Sequence, residues 1–287
     1  MNKLNENSYA AWSLFLNNDD NKGHIQRHAI NGDLENHIAA CKKSADEMAL
    51  RVRGDCPDYF DPKVILEVGS SAGINCFALQ EIFPDSQVLG VEPEHVAVMA
   101  AKSLIQEGYN SPEFFEGFGE NLPLDSGSVD LIVCHTVIEH VANVDLTIGE
   151  FARVLKQDGL VHLDAPNYLW PYEVHLKIFT IPMLGKRFVK WCAARQGKKS
   201  LVSFVDHLQF VNPFQLEGLF RRHGFIWNNR AYEKLVLAAK NSSQIKKYVF
   251  ASKFMIALSK LGLSNLAAKC LARCGLYPSV MYTLRKR

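Results

Sequence analysis

The 287-residue chain has no stretch of about 18 uncharged apolar residues, so no membrane-spanning helix is expected. Its first residues, MNKLNENSYAAWSLFLNNDD, lack an apolar core of signal-peptide length and a small-residue cleavage site. No secretory signal is read there. The seven cysteines (41, 56, 76, 134, 192, 270 and 274) are odd in number and scattered, which fits reduced thiols in a cytoplasmic protein better than a disulfide framework. Ligand spacings are also scarce. There is no CxxC and no carboxylate repeat; only Cys270 and Cys274 are close, and no metal is expected. Internal repeats, low-complexity tracts and a GxGxxG turn are all missing. What remains, 48% hydrophobic and 22% charged, is the composition of a soluble globular protein with ample material for a core.

Acidic residues run out toward the end of the chain. Residues 1–150 hold 9 Lys/Arg against 24 Asp/Glu (9 − 24 = −15), and residues 151–287 hold 23 against 6 (23 − 6 = +17). After Glu233 there are eleven bases and no acid, and between Glu173 and Asp206 seven bases and no acid. Such a split points to an anionic partner for the second half, or to two halves that offset each other in one fold. The bases are interleaved with Leu, Ile, Phe and Met. That pattern favours a membrane surface or an anionic substrate over nucleic acid.

Periodicity organises the rest. A polar lead-in with a short helix near 10–15 precedes a helical pattern over 33–53 that ends at Gly54. KVILEV (63–68) is a continuous apolar run, as in a strand buried on both faces of a parallel sheet. Helices are expected at 73–82, 94–106, 143–156 and 212–223. Strands are expected at 87–92, 112–117, 129–135, 159–166, 224–229 and 234–239. This alternation predicts an α/β fold: a doubly wound, Rossmann-like, mostly parallel seven-stranded sheet with helices on both faces. The regular pattern breaks after 166, predicting a lid insertion over about 167–211. The domains are then a helical lead-in over 1–54, a catalytic domain over 55–240 and a basic amphipathic helical extension over 241–287.

Ligands in such sheets bind beyond the carboxyl ends of the strands. Between the first strand and its helix lies Glu67-Val68-Gly69-Ser70-Ser71-Ala72-Gly73, whose glycines permit a tight turn and close approach of a ligand to the backbone. The second strand ends in Glu92, placed to accept hydrogen bonds from ribose hydroxyls. An acid at Glu67 would repel a pyrophosphate but stabilise a ligand carrying an amino group. A dinucleotide and S-adenosylmethionine therefore compete as ligands, with the missing GxGxxG against the first.

Residues 63–164 resemble the class I S-adenosylmethionine-dependent methyltransferases. ILEVGSSAG (65–73) is similar to that family's first motif and GVEP (90–93) to its acidic second motif. EGFGENLPLDSGSVDLIVCHTVIEHV (116–141) and EFARVLKQDGLVHLDAPN (150–167) are similar to the stretches that follow in its small-molecule members. The resemblance implies S-adenosyl-L-methionine as cofactor. It implies that Glu67, Gly69 and Gly73 line the methionine end, with Ser71 in place of the usual middle glycine. Glu92 would hold the ribose, Pro93, Phe118 and Gly119 would flank the adenine, and His135 would lie under the cofactor. Phe118 stands where the family often carries an aspartate.

A hydroxyl acceptor needs a base near the reacting atoms. Asp164, Asn167, Glu173 and His175 follow the fifth strand, in a segment that resembles one in methyltransferases of bacterial polysaccharide and lipid pathways and, more loosely, of ubiquinone O-methylation. Glu173 and His175 share a face if the chain is extended, so His175 oriented by Glu173 is the first candidate and His140 the second. The expected acceptor is a small molecule, a glycan or a lipid-linked intermediate. The aromatic and basic residues of the lid, and Lys246, Lys253 and Lys260 recurring every seven residues, suit either an anionic acceptor or the anionic inner face of a membrane. The competing readings are a non-catalytic adenosyl-binding scaffold and a nicotinamide-dependent oxidoreductase.

Overall fold

The structure, a computed structural model, describes residues 6–18, 34–105, 111–231, 233, 235 and 262–287. Its centre is a seven-stranded sheet in the order β3-β2-β1-β4-β5-β9-β8. The strands are β1 (Val64–Val68), β2 (Gln87–Glu92), β3 (Glu113–Glu116), β4 (Val129–His135), β5 (Leu155–Pro166), β8 (Phe225–Asn229) and β9 (Ser279–Lys286). β1 pairs in parallel with β2 and β4, and β9 runs antiparallel to both β5 and β8. The apolar run of β1 is explained by its position. It lies between β2 and β4, and Ile65, Leu66 and Val68 are covered on both faces.

Helices close the two faces. α1 (Glu6–Asn17), α2 (Leu34–Asp55), α3 (Ile74–Ile82) and α4 (His95–Lys102) supply Trp12, Ile38, Met48, Leu79 and Val98 to one core, with Ile65 and Leu131 from the sheet. α5 (Val144–Val154) and α7 (Pro213–Arg222) supply Ile148, Phe151, Leu216 and Phe220 to the other, with Leu66, Ile132 and Tyr282. α5 starts where its sequence says it should: Asn143 Oδ1 accepts the backbone N–H of Asp145 and of Leu146. The chain winds outward in both directions from the β1–β4 pair, so the switch-point crevice lies beyond the carboxyl ends of β1 and β4.

Two expectations are corrected. The seventh strand is not 234–239, since Glu233 and Leu235 are helical and residues 236–239 lie outside the described set. A short apolar run such as KLVLAA has no periodicity that separates helix from strand. The seventh strand is β9, inside the stretch expected to be wholly helical. SVMYTLRK buries Val280, Tyr282 and Leu284 and alternates them with more exposed neighbours, the two-residue period of a strand. A helix does occur in that stretch, α8 (Ser264–Arg273). The lysines at 246, 253 and 260 lie outside the described residues.

The insertion after β5 has structure of its own. β6 (Tyr172–Glu173) and β7 (Ile178–Phe179) form a small antiparallel hairpin. α6 (Gly185–Arg195) and two short 3₁₀ segments, Lys199–Leu201 and Ser203–His207, follow. Leu176, Ile178, Val189, Cys192, Ala193 and Val205 give the insertion a separate apolar core.

Candidate active site

The turn after β1 is held by its neighbours. Gly69 and Gly73 take φ of +72° and +80°. A Cβ at Gly73 would stand 2.6 Å from the Phe114 ring, and one at Gly69 would stand 2.4 Å from Val137 Cγ2. Both positions therefore require glycine for space as well as for conformation. Ser71 also has positive φ (+48°), at a position where a side chain carries strain. Its backbone N–H donates to Glu92 Oε2 at 2.9 Å, which ties the turn to the end of β2. Glu92 Oε1 accepts the N–H of Glu94. Burial raises the Glu92 carboxyl above its ordinary range, and the two backbone donors oppose this. Pro93 is exposed beside it.

Glu67 is held by the start of the next helix. Its carboxylate is buried and accepts hydrogen bonds from Asn75 Nδ2 at 2.7 Å and Cys76 Sγ at 3.0 Å, at the start of α3. Burial pushes its pKa up to about 7, although these two bonds pull the other way. The structure thus gives Glu67 the part of anchoring the helix to the strand beneath the turn. Gly119 is buried against Thr147 and Val68, while Phe118 is 63% exposed and projects at the rim of the same edge.

His135 ends β4 and joins a chain of polar contacts leading into the protein. Its Nε2 is 2.7 Å from His162 Nδ1, and His162 Nε2 is 2.9 Å from Asp55 Oδ2. Asp55 in turn meets Arg230 at 2.9 Å. Sequence reading missed this relay because its members lie on four separate segments.

The two acid–base candidates converge. Glu173 closes β6 and His175 follows in the turn, so His175 Nδ1 lies 2.6 Å from Glu173 Oε1. Glu173 Oε2 also accepts the N–H of Leu176 at 2.5 Å. Burial alone would raise the Glu173 carboxyl. The hydrogen bond and charge of His175 and the backbone donors outweigh it and hold the group below its ordinary range. His140 reaches the same place from the loop after β4, its ring centroid 5.0 Å from that of His175. Phe204 of the insertion packs against both rings. Glu139 is a fourth member that the sequence reading did not single out. Its Oε1 lies 3.7 Å from Nε2 of both histidines. The available signal was a carboxylate inside the apolar run TVIEHV, beside a histidine.

Two neighbours expected in this cluster are elsewhere. Asp164 pairs with Arg51 at 3.3 Å on the other side of β5. Asn167 is buried and donates to the carbonyls of Gly275 and Tyr277, fastening the start of the insertion to the C-terminal segment. Next to Glu173 opens a shallow cleft lined by Tyr168, Trp170, Tyr172, Met183 and Phe210.

Crevice, glycine turn and acidic strand end define a Rossmann-like methyltransferase fold, and comparison with known proteins agrees. Residues 66–163 match the family model described as a methyltransferase domain, which bears out the resemblance of the motifs over 63–164. The chain is 30% identical over 171 residues to a demethylmenaquinone methyltransferase of Lactococcus lactis, covering 56% of this chain and 65% of that one. It is 34% identical over 168 residues to an uncharacterized methyltransferase, YcgJ, of Bacillus subtilis, with the same coverage. It thus spans just under two thirds of the length of these relatives. The crystal structure of YcgJ shares the fold with a TM-score of 0.51 at 18% identity, over 85% of this chain and 99% of that one. A Haemonchus contortus phosphoethanolamine N-methyltransferase, solved with phosphomonomethylethanolamine and S-adenosylhomocysteine, shares it with a TM-score of 0.53 at 16% identity. There the alignment covers 84% of this chain and 52% of that one.

Proposed function

We propose that the protein is an S-adenosylmethionine-dependent methyltransferase acting on a small molecule. The observation that carries this reading is a convergence on one edge of the sheet. The glycine turn after β1 and Glu92 at the end of β2 lie beside the loop after β4 that bears Glu139 and His140, since Val137 of that loop packs on Gly69. A sulfonium cofactor on the turn would put its methyl group within reach of an acceptor held at the cluster. Its ribose hydroxyls would meet Glu92, and Gly119 and Phe118 would flank its adenine. Methyl transfer is a direct displacement, so the protein's work is to align the acceptor, exclude water and dispose of the acceptor's proton. The four-residue cluster of Glu139, His140, Glu173 and His175 is suited to the last task, with His175 oriented by Glu173.

The acceptor we propose carries a hydroxyl on an apolar or ring-bearing body. The ring-bearing body is supported by the aromatic residues of the cleft beside Glu173 and by the name of the Lactococcus relative, a demethylmenaquinone methyltransferase, and the hydroxyl by a Bartonella tribocorum relative named as a ubiquinone biosynthesis O-methyltransferase. A lipid-linked acceptor and a peripheral position on an anionic membrane fit the outer face of the insertion. There Leu184 and Trp191 are exposed, with Arg195 over the Trp191 ring at 5.3 Å, and Ile181 and Met183 are exposed at the mouth of the cleft.

The test is calorimetric titration with S-adenosylmethionine, S-adenosylhomocysteine and NAD. Micromolar binding of the first two, weakened by about tenfold or more in Glu92→Gln through loss of a charged ribose acceptor, is the expected result. Retention of NAD alone would move the protein to the nicotinamide enzymes. Binding of no adenosyl ligand by well-folded protein would end the enzyme reading.

A further inference from the structure

The cluster after β4 has a feature that proton transfer alone does not need. Three ligand atoms from two segments lie together: Glu139 Oε1 and His140 Nε2 from the loop after β4 and His175 Nε2 from the insertion, all within 4.8 Å of one another. The carboxylate is 3.7 Å from each imidazole nitrogen, too long for a hydrogen bond. Tetrahedral zinc with bonds of about 2.0–2.1 Å spaces its ligands by roughly 3.3 Å; the two carboxylate–imidazole spacings are a few tenths of an ångström longer, and the two imidazole nitrogens, within 4.8 Å of each other, would draw together on an ion. The Glu139 side chain has no exposed surface, that of His175 is 4% exposed and that of His140 17%. The set is therefore sheltered, with some access on the His140 side.

The surroundings match what a metal-binding histidine requires. A ligating imidazole usually gives its other N–H to a carboxylate, which fixes its tautomer and aims the free nitrogen. His175 does this: Nδ1 lies 2.6 Å from Glu173 Oε1, and the carboxylate of Glu173 is itself held by the N–H of Leu176. With Nδ1 protonated, Nε2 presents its lone pair toward Glu139 and His140. The backbone on both sides is also fixed. His140 N–H donates to the Val137 carbonyl at 2.7 Å, and the Glu139 carbonyl accepts Gln209 N–H at 2.6 Å.

We infer that Glu139, His140 and His175 form a three-ligand site for a divalent transition-metal ion, zinc being the best match to one carboxylate and two imidazoles with a coordination position to spare. The site stands without any assumption about methyl transfer; only its use rests on the proposed function. In that use the ion takes the acceptor hydroxyl as its fourth ligand and acidifies it. The hydroxyl proton leaves to solvent and the oxygen forms a bond to the methyl carbon. The sulfur–methyl bond breaks with its electron pair going to sulfur, leaving neutral S-adenosylhomocysteine. His175 then serves as a ligand, and the metal does the work otherwise asked of a base.

The experiment uses the full chain, purified without a polyhistidine tag, equilibrated with Zn²⁺ and freed of loose ion. Elemental analysis is expected to find about one zinc per chain, and Co²⁺ in its place should give visible d–d absorption bands. Glu139→Gln, His140→Ala and His175→Ala should each weaken the metal by roughly a hundredfold and bleach those bands, and Glu173→Gln by roughly tenfold. His140→Gln, at the most exposed of the three positions, is the variant to read if a buried substitution fails to fold. S-adenosylhomocysteine binding, measured on every variant, separates the two readings. Less than a tenth of an equivalent of metal in wild-type protein that still binds S-adenosylhomocysteine overturns the site and leaves the proposed function standing. So does a full equivalent that persists in His140→Ala and His175→Ala, or that disappears instead in Cys270→Ser. Metal that follows the three ligands in protein without affinity for S-adenosylhomocysteine supports the site and removes the methyltransferase reading.

Discussion

At the scale of single residues, the turn after β1 makes two quantitative predictions. Glu67 is buried with a pKa near 7, against 4.5 for a free glutamate. The folded state therefore holds this proton more tightly than the unfolded state. Its favourable contribution is complete below about pH 4.5, declines as pH rises, and is lost above about pH 7. The shift corresponds to about 3 kcal/mol. Urea unfolding of wild type and Glu67→Gln at pH 4.5 and pH 8 should show the wild type losing that much relative to the variant; parallel pH profiles would mean that Glu67 titrates normally. Ser71 stands at φ +48° where glycine would be unstrained. Ser71→Gly should raise stability by about 0.5–1 kcal/mol and leave cofactor affinity within twofold, because the contact that matters is its backbone N–H to Glu92. A fall in stability would show that the serine side chain holds the turn.

At the scale of elements, β9 is the unexpected one, and it holds the sheet's second half together. It pairs with β5 over Leu160–Pro166 and with β8 over Phe225–Asn229. Tyr282 is buried at its middle, donates to Glu217 at 2.8 Å and meets Asn229 Nδ2 at 3.2 Å. Tyr282→Phe should cost about 1 kcal/mol, since it leaves a half-buried carboxylate partner without its donor, and Tyr282→Ala about 3–5 kcal/mol through the cavity. Thermal unfolding followed by circular dichroism measures both; equal costs would mean that the hydroxyl contributes nothing. The contrast with β1 explains what was readable in the sequence. β1 is buried on both faces, so five apolar or enclosed positions announce it. β9 alternates and ends in charge, and it lies beyond a lysine heptad pattern whose period pulls the eye toward helix. The acid–base cluster divides in the same way. Glu173 and His175 are two residues apart and bond to each other, which spacing alone suggested. Glu139 and His140 join them only because the insertion folds back over the loop after β4, a long-range contact that no local pattern encodes. For the same reason three metal-type ligands 36 residues apart (139 to 175) escape any search for spacing.

At the scale of the whole molecule, the charge split of the sequence, −15 against +17, is only partly consumed within the fold. Some bases of the second half do turn inward to acids of the first: Lys156 pairs with Asp130 at 2.8 Å, and Arg222 and His223 meet Asp145. On the insertion the pairing is local, Lys190 to Asp206 at 2.6 Å. The same segment carries Arg187, Lys198 and Lys199 together with the exposed Ile181, Met183, Leu184 and Trp191, Met183 being 85% exposed. A surface that presents both apolar residues and bases gains about 1 kcal/mol per base near an anionic bilayer, an attraction that salt screens over a Debye length of about 10 Å at 0.1 M. The protein should therefore sediment with vesicles containing phosphatidylserine and stay in solution with pure phosphatidylcholine. Raising salt from 0.05 to 0.5 M should release it. Glu substitution at Arg187, Lys198 and Lys199 together should weaken binding by roughly a hundredfold or more, with S-adenosylhomocysteine affinity retained because these side chains are remote in sequence from the turn and from Glu92. Binding that ignores both salt and the triple substitution would place the attraction elsewhere on the basic half. Absence of binding to either vesicle would leave the exposed apolar residues of the insertion to the acceptor alone, as a rim that closes over an apolar body once it enters the cleft beside Glu173.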